Sequence, residues 1–242
     1  MITGTSRCLT TSGERRCPSK SASWLSPGVQ QLDLTGPYEV FASLSDSAVH
    51  LVRKTLDPVV SSTGLVLQPT QTMAACPQLD IVSVPGGAGI NPLLEDEETL
   101  SFLRAQAAGA RYITSVCTGA LVLGAAGLLR NKRATTHWAS HDLLGPLGAI
   151  PVKARVVQDG NILSGGGVTA GIDFALTLAA EVAGRDAAEA IQLQLEYAPA
   201  PPFDSGTPDR CRDSVLAEAR ERGAAVRAAR EALVARIAGR SA

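Results

Sequence analysis

Three short apolar runs rich in Val and Ile punctuate the first half of the chain: "SAVHLVRK" (47–54), "LDIVSVPGG" (79–87) and "RYITSVC" (111–117), each ending in turn chemistry. Runs of this length and composition read as strands. Between the second and third, "EDEETLSFLRAQAAGA" carries acids in its first turn and Leu100, Leu103 and Ala107 at helical spacing, closed by Gly109 as C-cap. Strand, helix, strand predicts a parallel sheet. Helical periodicity recurs over 35–43, 118–128, 136–144, 170–183 and 187–195, while "ARVVQDGNILSGGG" (154–167) sets two apolar runs around Asp159 and Gly160, the signature of a β-hairpin. The prolines of "APAPPF" break any helix, and beyond them an Arg- and Ala-rich pattern resumes with Val215, Ala219, Val226, Ala229 and Leu233 on one face. That face suits packing on the body or across a dimer, and Gly223 is a point at which the helix can divide.

The pattern predicts an α/β fold: a doubly wound, flavodoxin-like, mostly parallel sheet sandwiched by helices over residues 25–203, with a C-terminal helical arm over 204–242. Residues 1–24 read as a disordered or atypical end, Ser-, Thr- and Arg-rich with one acid and without the apolar core of a secretory signal. A length of 242 residues fits one such domain with an arm. Aromatic residues make up only 4%, so the core is expected to be Ala, Val, Leu and Ile. A formal net charge of -1 leaves no footprint for nucleic acid. No window reaches the length of a transmembrane helix. The five cysteines are scattered without C-x-x-C, which predicts a reducing cytoplasm, no disulfide framework and no structural zinc.

Candidate chemistry centres on "RYITSVCTGALVLGAAGLL", where strand alternation gives way to helical spacing at Cys117. A residue there sits at the rim of the sheet, where open α/β folds bind ligands, and a sharp turn makes it a nucleophile elbow. The helix N-terminus lowers a thiol pKa by about one unit, and the Thr118 amide points at an attacking group. The other reading of Cys117 is a small buried hydrophobe. Gly87 of "PGG" can bring a second amide beside that of Thr118 to form a two-donor oxyanion hole, or it is a plain tight turn. In "LDLTGPYEVF", Asp33 is either the N-cap of a helix starting near Gly36 and Pro37, or an acid held in a pocket with a raised pKa, fit for general acid work. His137 and His141 fall four apart in "RATTHWASHDLL" without a third metal ligand. His137 is a packing histidine or the base of a Cys-His pair.

These motifs resemble the ThiJ/PfpI superfamily of class I glutamine-amidotransferase-like domains, and within it the isonitrile hydratase branch. The similarity rests on "QQLDLTGPYEVF", "PGGAG", "TSVCTGALVLGAAGLL", "RATTHW", "GGGVTAGIDFALTLAAE" and "QLQLEYAPAPPF". It implies a cytoplasmic homodimer with no metal or organic cofactor, acting on a small apolar isonitrile. It places the nucleophile at Cys117, its neighbouring threonine at Thr118 and the essential acid at Asp33. The reaction it implies adds water to R-N≡C to give the N-substituted formamide. Rival readings are another Cys-dependent enzyme of glyoxalase, deglycase or peptidase type, and a ligand- or redox-sensing module. One departure stands out: the segment before "PGVQQLD", an apolar central strand in the family, is the polar "KSASWLS" here.

Overall fold

A computed structural model of the chain describes residues 19–241; the expected disorder of residues 1–18 lies outside them. The strands are β1 (Ser19–Trp24), β2 (Ser47–Arg53), β3 (Val59–Val60), β4 (Val66–Leu67), β5 (Gln71–Thr72), β6 (Ile81–Val84), β7 (Tyr112–Val116), β8 (Arg133–Ala134), β9 (Ile150–Pro151), β10 (Val156–Asp159) and β11 (Ile162–Gly165). The helices are α1 (Gln31–Ala42), α2 (Glu97–Gly109), α3 (Gly119–Ala125), α4 (Ala170–Ala183), α5 (Arg185–Gln194) and α6 (Asp213–Ser241). Seven strands form one sheet in the order β10-β11-β7-β6-β1-β2-β5, parallel throughout except for β10 against β11. The chain winds outward from β1 to β2 and β5, then returns to build β6, β7 and β11 on the other side. That reversal puts the carboxyl ends of β1 and β6 at the switch point of the topology, the position where doubly wound sheets take their ligands.

Both faces of the sheet are covered. Trp24, Val82, Val84 and Ile113 pack with Leu100 and Leu103 of α2, Leu121 of α3, and Val234 and Ile237 of α6. Ile81, Val116 and Leu163 on the opposite face meet Phe41 of α1, Phe174 and Leu178 of α4, and Ile191 of α5. The hairpin at Asp159 forms, with Asp159 paired to Ile162 and Gly160 entering the turn at φ 62°. Among the described residues no helix is long and apolar enough to cross a membrane.

Several expectations need correction. The body begins at Ser19, not residue 25, because "SKSASW" is a full central strand, in register with β2 from Ser19 to Trp24 and with β6 from Ser21 to Ser23. Backbone pairing on both sides holds it despite its polar side chains. α1 starts at Gln31, four residues earlier than the periodicity suggested, and carries Pro37 inside it. The pattern over 136–144 folds as a 3₁₀ helix, Trp138–Leu143, capped by the His137 side chain. α6 runs unbroken through Gly223 and packs on the body through its second half. Its buried positions are Arg230, Val234 and Ile237, not the face of Val215, Ala219, Val226 and Ala229. An Ala- and Arg-rich helix has little apolar contrast around its axis, so the surface it meets chooses the face.

Candidate active site

Three strand ends converge on one point. After β7 the chain turns sharply into α3, and Cys117 takes the left-handed conformation, φ 54°. Such backbone costs a non-glycine residue about 1–3 kcal/mol and needs the surroundings to hold it. Two hydrogen bonds do so: the Cys117 amide donates to the Gly165 carbonyl at 3.0 Å, and the Thr136 hydroxyl donates to the Cys117 carbonyl at 2.7 Å. Gly119 lets the elbow close, since a Cβ there would stand 1.9 Å from the Val84 carbonyl oxygen.

After β1, the loop to α1 is pinned against the β6 loop by a bridge between Val29 and Gly87 and by the Gln30 amide donating to the Gly86 carbonyl at 2.9 Å. Asp33 therefore enters in the first turn of α1, fully buried. It is not an N-cap. Gln30 holds that position, and Asp33 Oδ2 instead accepts from the Gly86 amide at 2.9 Å, leaving Oδ1 without a hydrogen-bond partner. Gly86 must be glycine for this approach, because a Cβ would lie 2.5 Å from the Thr118 nitrogen and 2.9 Å from Asp33 Oδ2.

The Cys117 thiol and the Asp33 carboxyl lie close enough for each to act on the other's titration, and the Thr118 amide favours the charged sulfur. Burial pushes the Asp33 carboxyl up to about 7, with the Gly86 amide and the Cys117 thiol pulling the other way. Burial also pushes the Cys117 thiol well above its ordinary range, and the Asp33 charge adds to the rise. The expected lowering by the helix N-terminus is thus overturned. α3 spans only seven residues, and the Thr118 amide offsets a fraction of what desolvation imposes. The resting pair is a thiol beside an acid poised to titrate near neutrality.

The amides of Gly87 and Thr118 do not form the expected two-donor hole. The Gly87 amide turns to Thr118 Oγ1 at 3.0 Å, and the Thr118 hydroxyl donates back to the Gly87 carbonyl at 3.3 Å. Nor is His137 hydrogen-bonded to Cys117 among the described residues. Its Nδ1 accepts the Ala139 amide at 3.3 Å, its ring lies against Trp138, and burial holds it below the usual histidine range. No group of three or more His, Cys, Asp or Glu side chains among the described residues is arranged to hold a metal. A cleft of about 500 Å³ opens between Trp138 and Asp142 on one side and Gly223 and Arg227 of α6 on the other, apart from Cys117 and Asp33.

One residue at the site went unread in the sequence: Arg230 of α6, only 6% exposed. It donates to Asn91 Oδ1 at 2.9 Å, Ser140 Oγ at 3.0 Å and the Gly87 carbonyl at 3.1 Å. A signal for it exists, since Arg230 shares the spacing i, i+3, i+4, i+7 with Leu233, Val234 and Ile237, a charge set on the apolar stripe.

The chain is 70% identical over 200 residues to isonitrile hydratase of Pseudomonas putida, covering 83% of this chain and 88% of that protein. It is 33% identical over 142 residues to the HTH-type transcriptional regulator GbdR of Pseudomonas aeruginosa, but spans only 38% of that regulator. The crystal structure of a THiJ/PfpI family protein from Pseudomonas syringae superposes with a TM-score of 0.87 at 43% identity, over 89% of this chain and 90% of that one. The DJ-1/PfpI family profile matches residues 22–181, spanning the sheet from β1 and all three strand ends of the site, and the chain belongs to that family.

Proposed function

We propose that this protein hydrates isonitriles to N-substituted formamides, with Cys117 as nucleophile and Asp33 as proton relay. The observation that carries the reading is a buried thiol beside a fully buried carboxyl that burial pushes up to about 7. The name of the Pseudomonas putida relative supports it. An isonitrile carbon is carbene-like: it accepts a soft sulfur nucleophile but needs a proton as the bond forms. Ionised Asp33 takes the thiol proton while sulfur attacks the terminal carbon, then delivers that proton to the same carbon. The product is a thioimidate, R-N=CH-S-Cys117. Asp33, again a carboxylate, draws a proton from water as the oxygen adds to the imidate carbon. Collapse of the adduct breaks the C-S bond, nitrogen gains a proton, and R-NH-CHO leaves with the thiol restored. No oxidant, metal or organic cofactor enters this balance.

Thr118 serves through both its groups in this scheme, its amide toward the sulfur and its hydroxyl locked to Gly87. Gly87 acts through its conformation, φ 121°, rather than as an oxyanion donor. On the same reading the chain works as a homodimer in the cytoplasm, and sedimentation equilibrium should return twice the chain mass. The deciding experiment incubates purified protein with cyclohexyl isocyanide and follows formamide formation. Product that disappears in Cys117→Ala supports the scheme. An unaltered rate in that variant sinks it, and a folded wild type giving no product favours a sensing role of the kind the GbdR similarity suggests.

A further inference from the structure

The scheme above leaves one buried charge unused. Arg230 is held on an amide oxygen, a hydroxyl and a backbone carbonyl, all neutral, and no carboxylate lies within ion-pair distance of it among the described residues. The other arginines that fasten α6 to the body differ. Arg227 pairs with Asp142 at 2.5 Å, and Arg236 and Arg240 each pair with Glu95 at 2.8 Å. A buried guanidinium without an acid is expensive, since removing an ion from water is repaid only by a close counter-charge. Its three acceptors belong to the β6 loop, the turn after it and the 3₁₀ helix beside His137, so it clamps three loops around the elbow. Gly87, which it grips at 3.1 Å, is the residue tied in both directions to Thr118, next to the nucleophile.

We propose that Arg230 is a positioning residue whose missing counter-ion is the Cys117 thiolate: the C-terminal helix carries into the site the positive charge that sulfur needs when it ionises. The groups whose charges act on the Cys117 sulfur are Asp33 from α1 and Arg230 from α6. Those acting on Arg230 are Cys117 and Arg227, and His137 lies within the field of Arg230. Asp33 opposes the thiolate and Arg230 favours it. The pair can share one negative charge in a dry site because a fixed cation stands beside it.

The proposal rests on the isonitrile reading only for its kinetic arm; the thiol arm needs no substrate. The test uses the full chain with Arg230→Gln, which keeps hydrogen-bonding capacity and loses the charge, and Arg230→Lys, which keeps the charge. Alkylation of Cys117 by iodoacetamide is followed across pH by mass spectrometry of the Cys117 peptide, which separates it from the other cysteines. Arg230→Gln should slow alkylation at pH 7.5 about tenfold and move the profile up by about one pH unit, while Arg230→Lys restores most of both. With cyclohexyl isocyanide, kcat should fall with KM little changed. A Cys117 profile in Arg230→Gln that overlays the wild type overturns the proposal. So does an Arg230→Lys profile as shifted as that of Arg230→Gln. Should Arg230→Gln not fold, the Lys variant is compared with Arg230→Met refolded at high salt, under the same criteria. If wild type hydrates no isonitrile yet the alkylation profiles behave as expected, the proposed reaction fails and the counter-ion role stands.

Discussion

β1 leads into the segment that carries Asp33 and β7 ends at Cys117, yet the two strands are built from different material. β7 is "YITSV", with Ile113, Thr114, Ser115 and Val116 all buried and β-branched residues at three of its five positions. β1 is "SKSASW", in which Ser21 and Ser23 are as buried as the valines of β6. The Ser21 hydroxyl and the Trp24 indole nitrogen find no hydrogen-bond partner. β1 nonetheless lies at the centre of the sheet, because parallel ladders with β2 and β6 satisfy its backbone from both sides. Pairing placed it where its side chains did not ask to go. Cys117, the proposed nucleophile, thus follows a strand rich in β-branched residues, and Asp33, the proposed acid, follows one that packing merely tolerates.

The largest effect that tests this division is on chemistry. Asp33→Asn should lower kcat on the order of 10²–10⁴-fold, the range for losing a positioned proton-transfer group. A loss under threefold would separate the acid from the reaction. Next in size is truncation of the strong strand: Ile113→Ala should cost about 2–5 kcal/mol in chemical denaturation, as a buried Ile in close packing does.

The pH dependence follows from Asp33. Its folded pKa of about 7 lies above the 3.8 of the free side chain, so between those values the native state binds the extra proton and stability falls as pH rises. Wild type should therefore lose stability from about pH 4 to 7, on the order of a few kcal/mol, and Asp33→Asn should flatten that slope and be the more stable protein at pH 8. Over the same window kcat/KM should rise as the carboxylate forms, with an apparent pKa near 7. A rate profile flat down to pH 5 would contradict the relay. The smallest effect is the most pointed: Ser21→Ala on β1 should stabilise by about 1 kcal/mol, because it removes an unsatisfied buried hydroxyl. Truncating Ile113 on β7 and Ser21 on β1 would then have opposite signs.

Much of this was legible in the pattern of residues. β2, β6, β7, the Asp159 hairpin, α2 and α4 follow from period, length and turn chemistry, and the elbow follows from the change of period at Cys117. What escaped depends on partners. β1 is held by its neighbours' backbones, which no local pattern records. The start of α1 is set by the Gln30 to Gly86 hydrogen bond, across the fold. The rise in the Cys117 pKa comes from desolvation, a property of the assembled core that outweighs the local helix. Arg230 belongs to a segment distant in sequence, and its bonds to Gly87, Asn91 and Ser140 form only when α6 lies against the body.

The left-handed backbone at Cys117 carries a consequence for selection. Glycine occupies φ 54° without strain, so replacing Cys117 with glycine relaxes the elbow and, on the proposed scheme, removes the nucleophile. A library of position 117 variants screened for survival of heat alone would be enriched in glycine and depleted of enzymes. On the proposed scheme only a screen for turnover keeps the cysteine, so durability and activity pull this single position toward different amino acids.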